Sequence, residues 1–102
     1  MSHGAATQVM SAVTAIVAPE KESELTDGFR DLTAGPRPDG LVRSELLRGQ
    51  KGVWSIQSVW RDREALEAMR SRGDRPSALA LFDKVGAEHS HEVFLVEHSY
   101  HP

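Results

Sequence analysis

The side chains best suited to proton or metal chemistry near neutral pH are the histidines. Four of the five gather near the C-terminal end, as His89, His91, His98 and His101. His89-Ser90-His91 places two imidazoles on one side of an extended segment, with Glu88 and Glu92 beside them as oxygen donors. A metal needs three or four converging ligands at fixed distances, whereas this pair sits between a helix stop and a strand. The segment reads as an exposed polar loop, and no metal is expected. His98 interrupts a strand face made by Phe94, Val96 and Tyr100. A half-buried imidazole there would accept a phenolic proton, so His98 and Tyr100 are the candidate catalytic pair. The plainer alternative for each is a strand-end residue bonded to backbone or water. Arg43 and Arg70 are candidates for holding an anionic group, with a surface role as the simpler reading. Ser44, Ser55 and Ser58 have no recognisable histidine–aspartate partners, so a serine hydrolase is unsupported.

Several function classes are excluded by composition. The 102 residues suffice for one domain. Residues 1–7, with His3 given no role, read as a flexible tail and residues 8–102 as the domain. The net charge of −3 offers no pull toward nucleic acid. Arg61, Arg63, Arg70, Arg72 and Arg75 are interleaved with Asp62, Glu64, Glu67 and Asp74, the pattern of a solvated helix surface. With no cysteine there can be no disulfide, thiolate zinc site or cysteine nucleophile. That fits a soluble protein of the reducing cytoplasm. The apolar run Ala12 to Ala18 is far shorter than the ~20 residues that span a bilayer, so no membrane partner is expected.

The elements that must position these groups are legible from period and punctuation. Gln8 to Val17 reads as a strand. Pro19, followed by Glu20, Glu22 and Glu24, opens a helix with Leu25, Phe29 and Leu32 on one stripe. Gly35 to Gly40 ends it. Leu41 to Arg48 and Val53 to Trp60 read as a hairpin across Gly49-Gln50-Lys51-Gly52. Asp62 caps a helix carrying Leu66 and Met69 inward, with Gly73 as its stop. Pro76 restarts helix with Leu79, Phe82 and Val85 inward until Gly86. Glu92 to Tyr100 is the last strand. The expected fold is α+β, a ferredoxin-like βαββαβ antiparallel sheet with helices on one face.

Such a sheet should alternate apolar and polar residues. Instead Val53 and Val59 oppose Trp54, Ile56 and Trp60, and Val93 and Leu95 oppose Phe94, Val96 and Tyr100. Both faces need cover and the helices supply one. A second copy of the sheet is the expected cover, because burying four large side chains is worth roughly 6–12 kcal/mol gross at ~1.5–3 kcal/mol each. A homodimer follows, with Trp54 near the hairpin in dimer or rim packing.

Two stretches resemble the antibiotic biosynthesis monooxygenase family. They are Val13-Thr14-Ala15-Ile16-Val17-Ala18-Pro19-Glu20-Lys21, with Leu25 and Phe29, and Val59-Trp60-Arg61-Asp62-Arg63-Glu64-Ala65-Leu66-Glu67-Ala68. In the second, a tryptophan ends a strand and a short helix begins at once. The resemblance spans about Val9 to Tyr100 and implies a dimeric α/β barrel. It also implies oxidation of a small aromatic or polyketide-type substrate, an anthrone or hydroquinone, by O2 without metal, flavin or nicotinamide. Trp60 matches the family's pocket tryptophan, and Phe29, Leu66, Met69 and Phe82 would wall the cavity. The asparagines of two well-understood branches fall near Val13 and Ile56, both aliphatic in a chain that contains no asparagine. No histidine follows Trp60 on the next helix, where Arg70 stands instead, so haem degradation by that route is not expected. The alternative to an oxygenase is a non-catalytic dimeric barrel that binds a small hydrophobic molecule or serves as a stress or accessory protein.

Overall fold

The computed structural model describes residues 7–71 and 77–102. The expected tail therefore lies outside the described residues except for Thr7, as do the helix stop at Gly73 and the restart at Pro76. The chain runs β1 (Val9–Ile16), a 3-10 turn (Pro19–Lys21), α1 (Glu22–Ala34), β2 (Leu41–Arg48), β3 (Val53–Trp60), α2 (Arg63–Arg70), α3 (Ser77–Lys84) and β4 (His89–Leu95). The four strands form one antiparallel sheet ordered β2-β3-β1-β4. β3 lies between β1 and β2, and β1 lies between β3 and β4. The result is two interleaved split β-α-β units, the ferredoxin-like α+β arrangement expected.

Local chemistry sets the turns. Lys51 and Gly52 both take positive φ, 56° and 79°, and the Val53 amide donates to the Gln50 carbonyl at 3.2 Å. That mirror-image turn matches the twist of the flanking strands and fixes the β2–β3 register. Asp62 caps α2 as expected, its carboxylate accepting from the Ala65 amide at 2.8 Å. Asp62→Ala is expected to cost about 1 kcal/mol. On a domain this size that is a fall in Tm of about 4–8 °C, readable by calorimetry.

Alternation along each strand sends Val9, Val13, Ala15, Trp54, Ile56 and Trp60 toward the helices, where all are buried. Leu25, Leu81, Phe82 and Val85 meet Val13, Ala15, Trp54 and Ile56 from α1 and from α3 and its end, while Ala65 and Leu66 of α2 meet Val9 and Trp60. Gly28 lets α1 and α3 close up, since a Cβ there would stand 2.5 Å from Leu81. Trp54 belongs to this core rather than to a rim or dimer contact. It shares strand parity with Ile56 and Trp60, and α1 reaches far enough to cover it. The opposite sheet face carries Ile16, 69% exposed, and Phe94, 48% exposed, around a polar centre where Thr14 and Ser55 hydroxyls lie 3.1 Å apart. No described helix is long and apolar enough to cross a membrane.

β4 differs most from expectation. It begins at His89 and ends at Leu95, not Glu92 to Tyr100. Its ladder with β1 runs out at the Val9–Leu95 pair, and only the Val96 amide, bonded to the Gln8 carbonyl at 2.9 Å, extends it. Beyond that point β1 has no strand residues left to pair with.

Candidate functional site

Antiparallel pairing lays the helix-facing side chains out in rows. Ser44, Ser58 and Ser11 stand in register with Val93, and the next row holds Leu46, Ile56, Val13 and His91. A register shift between Leu41 and Arg43 puts Leu41 and Ser44 on one side of the sheet, although their spacing alone would place them on opposite sides. Over these rows the helices do not close completely. A cleft of about 140 Å³ remains between the sheet floor and the walls made by Phe29 and Leu32 of α1, Leu66, Met69 and Arg70 of α2, and Leu79 of α3.

Of the residues expected to bind substrate, Val13, Phe29, Ile56, Trp60, Leu66 and Met69 line this cleft. Phe82 does not. It is 0% exposed and packs in the core cluster with Val13, Leu25 and Ile56. His98 and Tyr100 also stay outside the cleft. They follow the end of β4 and are exposed, Tyr100 at 80%. Their place at the cleft is taken by His91, which the early start of β4 turns toward the helices, together with Arg70. Counting back from Val93 at strand period two points to His91 in the sequence, and that was the signal available.

The two tryptophans of β3 have different surroundings. Trp54 donates its indole N–H to Glu22 Oε2 at 3.2 Å, and the Arg48 guanidinium lies 4.6 Å above its ring. Trp60 is 4% exposed and its indole N–H has no acceptor among the described residues. A buried N–H left unbonded costs about 1–3 kcal/mol. The His91 pKa lies below its ordinary 6.5, through burial first, then the Arg70 charge and then His89. The shift favours the neutral form of the imidazole. Arg70 is loosely paired to Glu67 at 3.8 Å. His89 bonds Asp83 at 3.0 Å, and among the described residues no three histidine, aspartate or glutamate side chains converge as a metal site would require.

The split β-α-β fold is shared with known proteins. A protein of unknown function from Nitrosomonas europaea superposes with a TM-score of 0.71 at 16% identity, covering 97% of this chain and 98% of that one. SnoaB of Streptomyces nogalater, a cofactor-independent oxygenase, gives 0.62 at 21% identity, covering 92% and 97%. A Deinococcus radiodurans protein named for the antibiotic biosynthesis monooxygenases gives 0.70 at 14%, covering 92% and 97%. At these identities the likeness establishes the fold. Among curated proteins no sequence match is found. The antibiotic biosynthesis monooxygenase family itself matches residues 9–76, from the first residue of β1 through the tryptophan-to-helix junction and all of α2. Two thirds of the sequence and nearly the whole architecture thus agree, and the chain belongs to the antibiotic biosynthesis monooxygenase family.

Proposed function

We propose that this protein is a cofactor-independent monooxygenase that oxidises a small electron-rich aromatic, of the hydroquinone or anthrone class, with O2. The observation that carries this reading is His91 and Arg70 together on the lining of an apolar cleft floored by Trp60. His91 takes the proton of a phenol or of an anthrone CH2, and Arg70 stabilises the anion. The anion gives one electron to O2, and the resulting radical pair joins carbon to oxygen. The peroxide anion so formed takes the proton back from His91, and loss of water from the resulting hydroperoxide leaves a carbonyl. One oxygen atom enters the product and the other leaves as water. The substrate supplies all four electrons, so the balance needs no external reductant.

The working form is a homodimer, with the open sheet face carrying Ile16 and Phe94 covered by a second copy. Sedimentation equilibrium measures this directly, and a monomer at micromolar concentration would refute it. A cysteine-free chain of this kind suits the cytoplasm.

The test is O2 consumption on mixing with anthrones and hydroquinones under labelled oxygen. One O2 is expected to disappear per product, with one labelled atom retained. Tight binding without O2 uptake would instead favour a non-catalytic carrier of small hydrophobic molecules. The aliphatic side chains of Val13 and Ile56, at positions where relatives place asparagine, are the feature on that side.

A further inference from the structure

The polar groups of the cleft floor are arranged as a row, and the mechanism above leaves them unused. Ser44, Ser58 and Ser11 occupy three adjacent strands in register, all half-buried and all lining the cleft. Ser44 and Ser58 hydroxyls stand 2.9 Å apart and share one hydrogen bond. One hydroxyl proton of that pair is left over, since each serine carries one donor and two acceptor lone pairs. Ser11 makes no side-chain hydrogen bond among the described residues. A floor that is otherwise apolar therefore presents two unused donors, one from the serine pair and one from Ser11.

From these groups we infer that the serine row is the specificity-determining element of the cleft. It reads an aromatic edge carrying two oxygens on alternate ring carbons. Ser58 and Ser11 sit on neighbouring strands, and strands lie ~4.8 Å apart, about the separation of two oxygens in a 1,3-dioxygenated ring. Oxygens on adjacent carbons match that spacing less well and meet both donors only at bent angles, and a single oxygen engages one. The row binds and orients the ring edge, while His91, one row further along at the β4 edge, meets the proton to be removed. This deepens the oxygenase reading and rests on it only for the role of His91.

Anaerobic fluorescence titration separates the two readings, because no oxidation takes place. Wild-type protein is expected to bind 1,3-dihydroxynaphthalene about tenfold more tightly than 1-naphthol or 2,3-dihydroxynaphthalene. Ser11→Ala and Ser58→Ala should each remove most of that preference while moving 1-naphthol affinity less than twofold. Equal wild-type affinity for the three ligands, no binding of any, or a preference untouched in both variants overturns the inference. Retained preference with no O2 uptake in air would leave it standing and remove the oxygenase reading alone. Circular dichroism checks that both variants fold, and the wild-type comparison decides the question even if one does not.

Discussion

His91→Ala is expected to lower oxygen-dependent turnover by about two to four orders of magnitude, the usual worth of a positioned general base. The fold should survive, because His91 lies on an edge strand and is exposed except toward the cleft. The pH profile carries the sharper signature. A base works in its neutral form, and burial, Arg70 and His89 all hold the His91 pKa below 6.5. The acid limb of kcat/KM should therefore fall below that value in the wild type and vanish in His91→Ala. Arg70→Gln removes a positive charge that disfavours the imidazolium, so the limb should move to higher pH. Its plateau should also drop, since the substrate anion loses its counter-charge. Stability follows the same sign: the unfolded chain takes up this proton more readily, so the contribution of His91 is present above 6.5 and fades as the pH falls below it. An unchanged acid limb in both variants would remove His91 from the chemistry.

How far the sequence leads to this site depends on which physical constraint is local. β2 and β3 are legible to the residue because their alternating side chains flank a glycine turn whose φ values only a few residues accept. β4 is not. An edge strand with water on one side tolerates the polar run His89-Ser90-His91-Glu92, so polarity reads as loop and the register slips toward the tail. That slip displaced the proposed proton acceptor from His91 to His98. The tryptophans show a second limit. Trp54 and Trp60 share parity and strand, and what separates them is Glu22, which approaches Trp54 from another element. The serine row shows a third. Cross-strand register is a property of pairs of strands, and the shift at Leu41 and Arg43 alters the facing of β2 in a way its own alternation conceals. Most of the apolar lining was legible because burial follows period, whereas the polar groups depend on register.

Phe82→Ala separates the expected cavity wall from the observed core, and its expected effect is on stability. The ring is 0% exposed and its neighbours are fixed by the sheet on one side and α1 on the other, so the space cannot collapse fully. The expected loss is about 3–5 kcal/mol. For a domain whose whole stability is about 5–15 kcal/mol, much of the margin disappears. At about 4–8 °C per kcal/mol, Tm should drop by at least ~12 °C. Urea melts should show the midpoint falling with the slope unchanged, as a smaller stability with the same exposed surface requires. A cleft-wall phenylalanine would behave differently, with altered ligand affinity and a modest loss of stability. A midpoint shift below about 1 kcal/mol would therefore refute the core placement. The consequence reaches the chemistry indirectly. The Phe82 ring lies 6.2 Å from the His89 ring, and His89 begins β4 through its bond to Asp83. Loosening that packing loosens the start of the strand that holds His91 two residues on. Residual activity in Phe82→Ala should accordingly decline on warming well before the global melt, as β4 leaves the edge of the sheet.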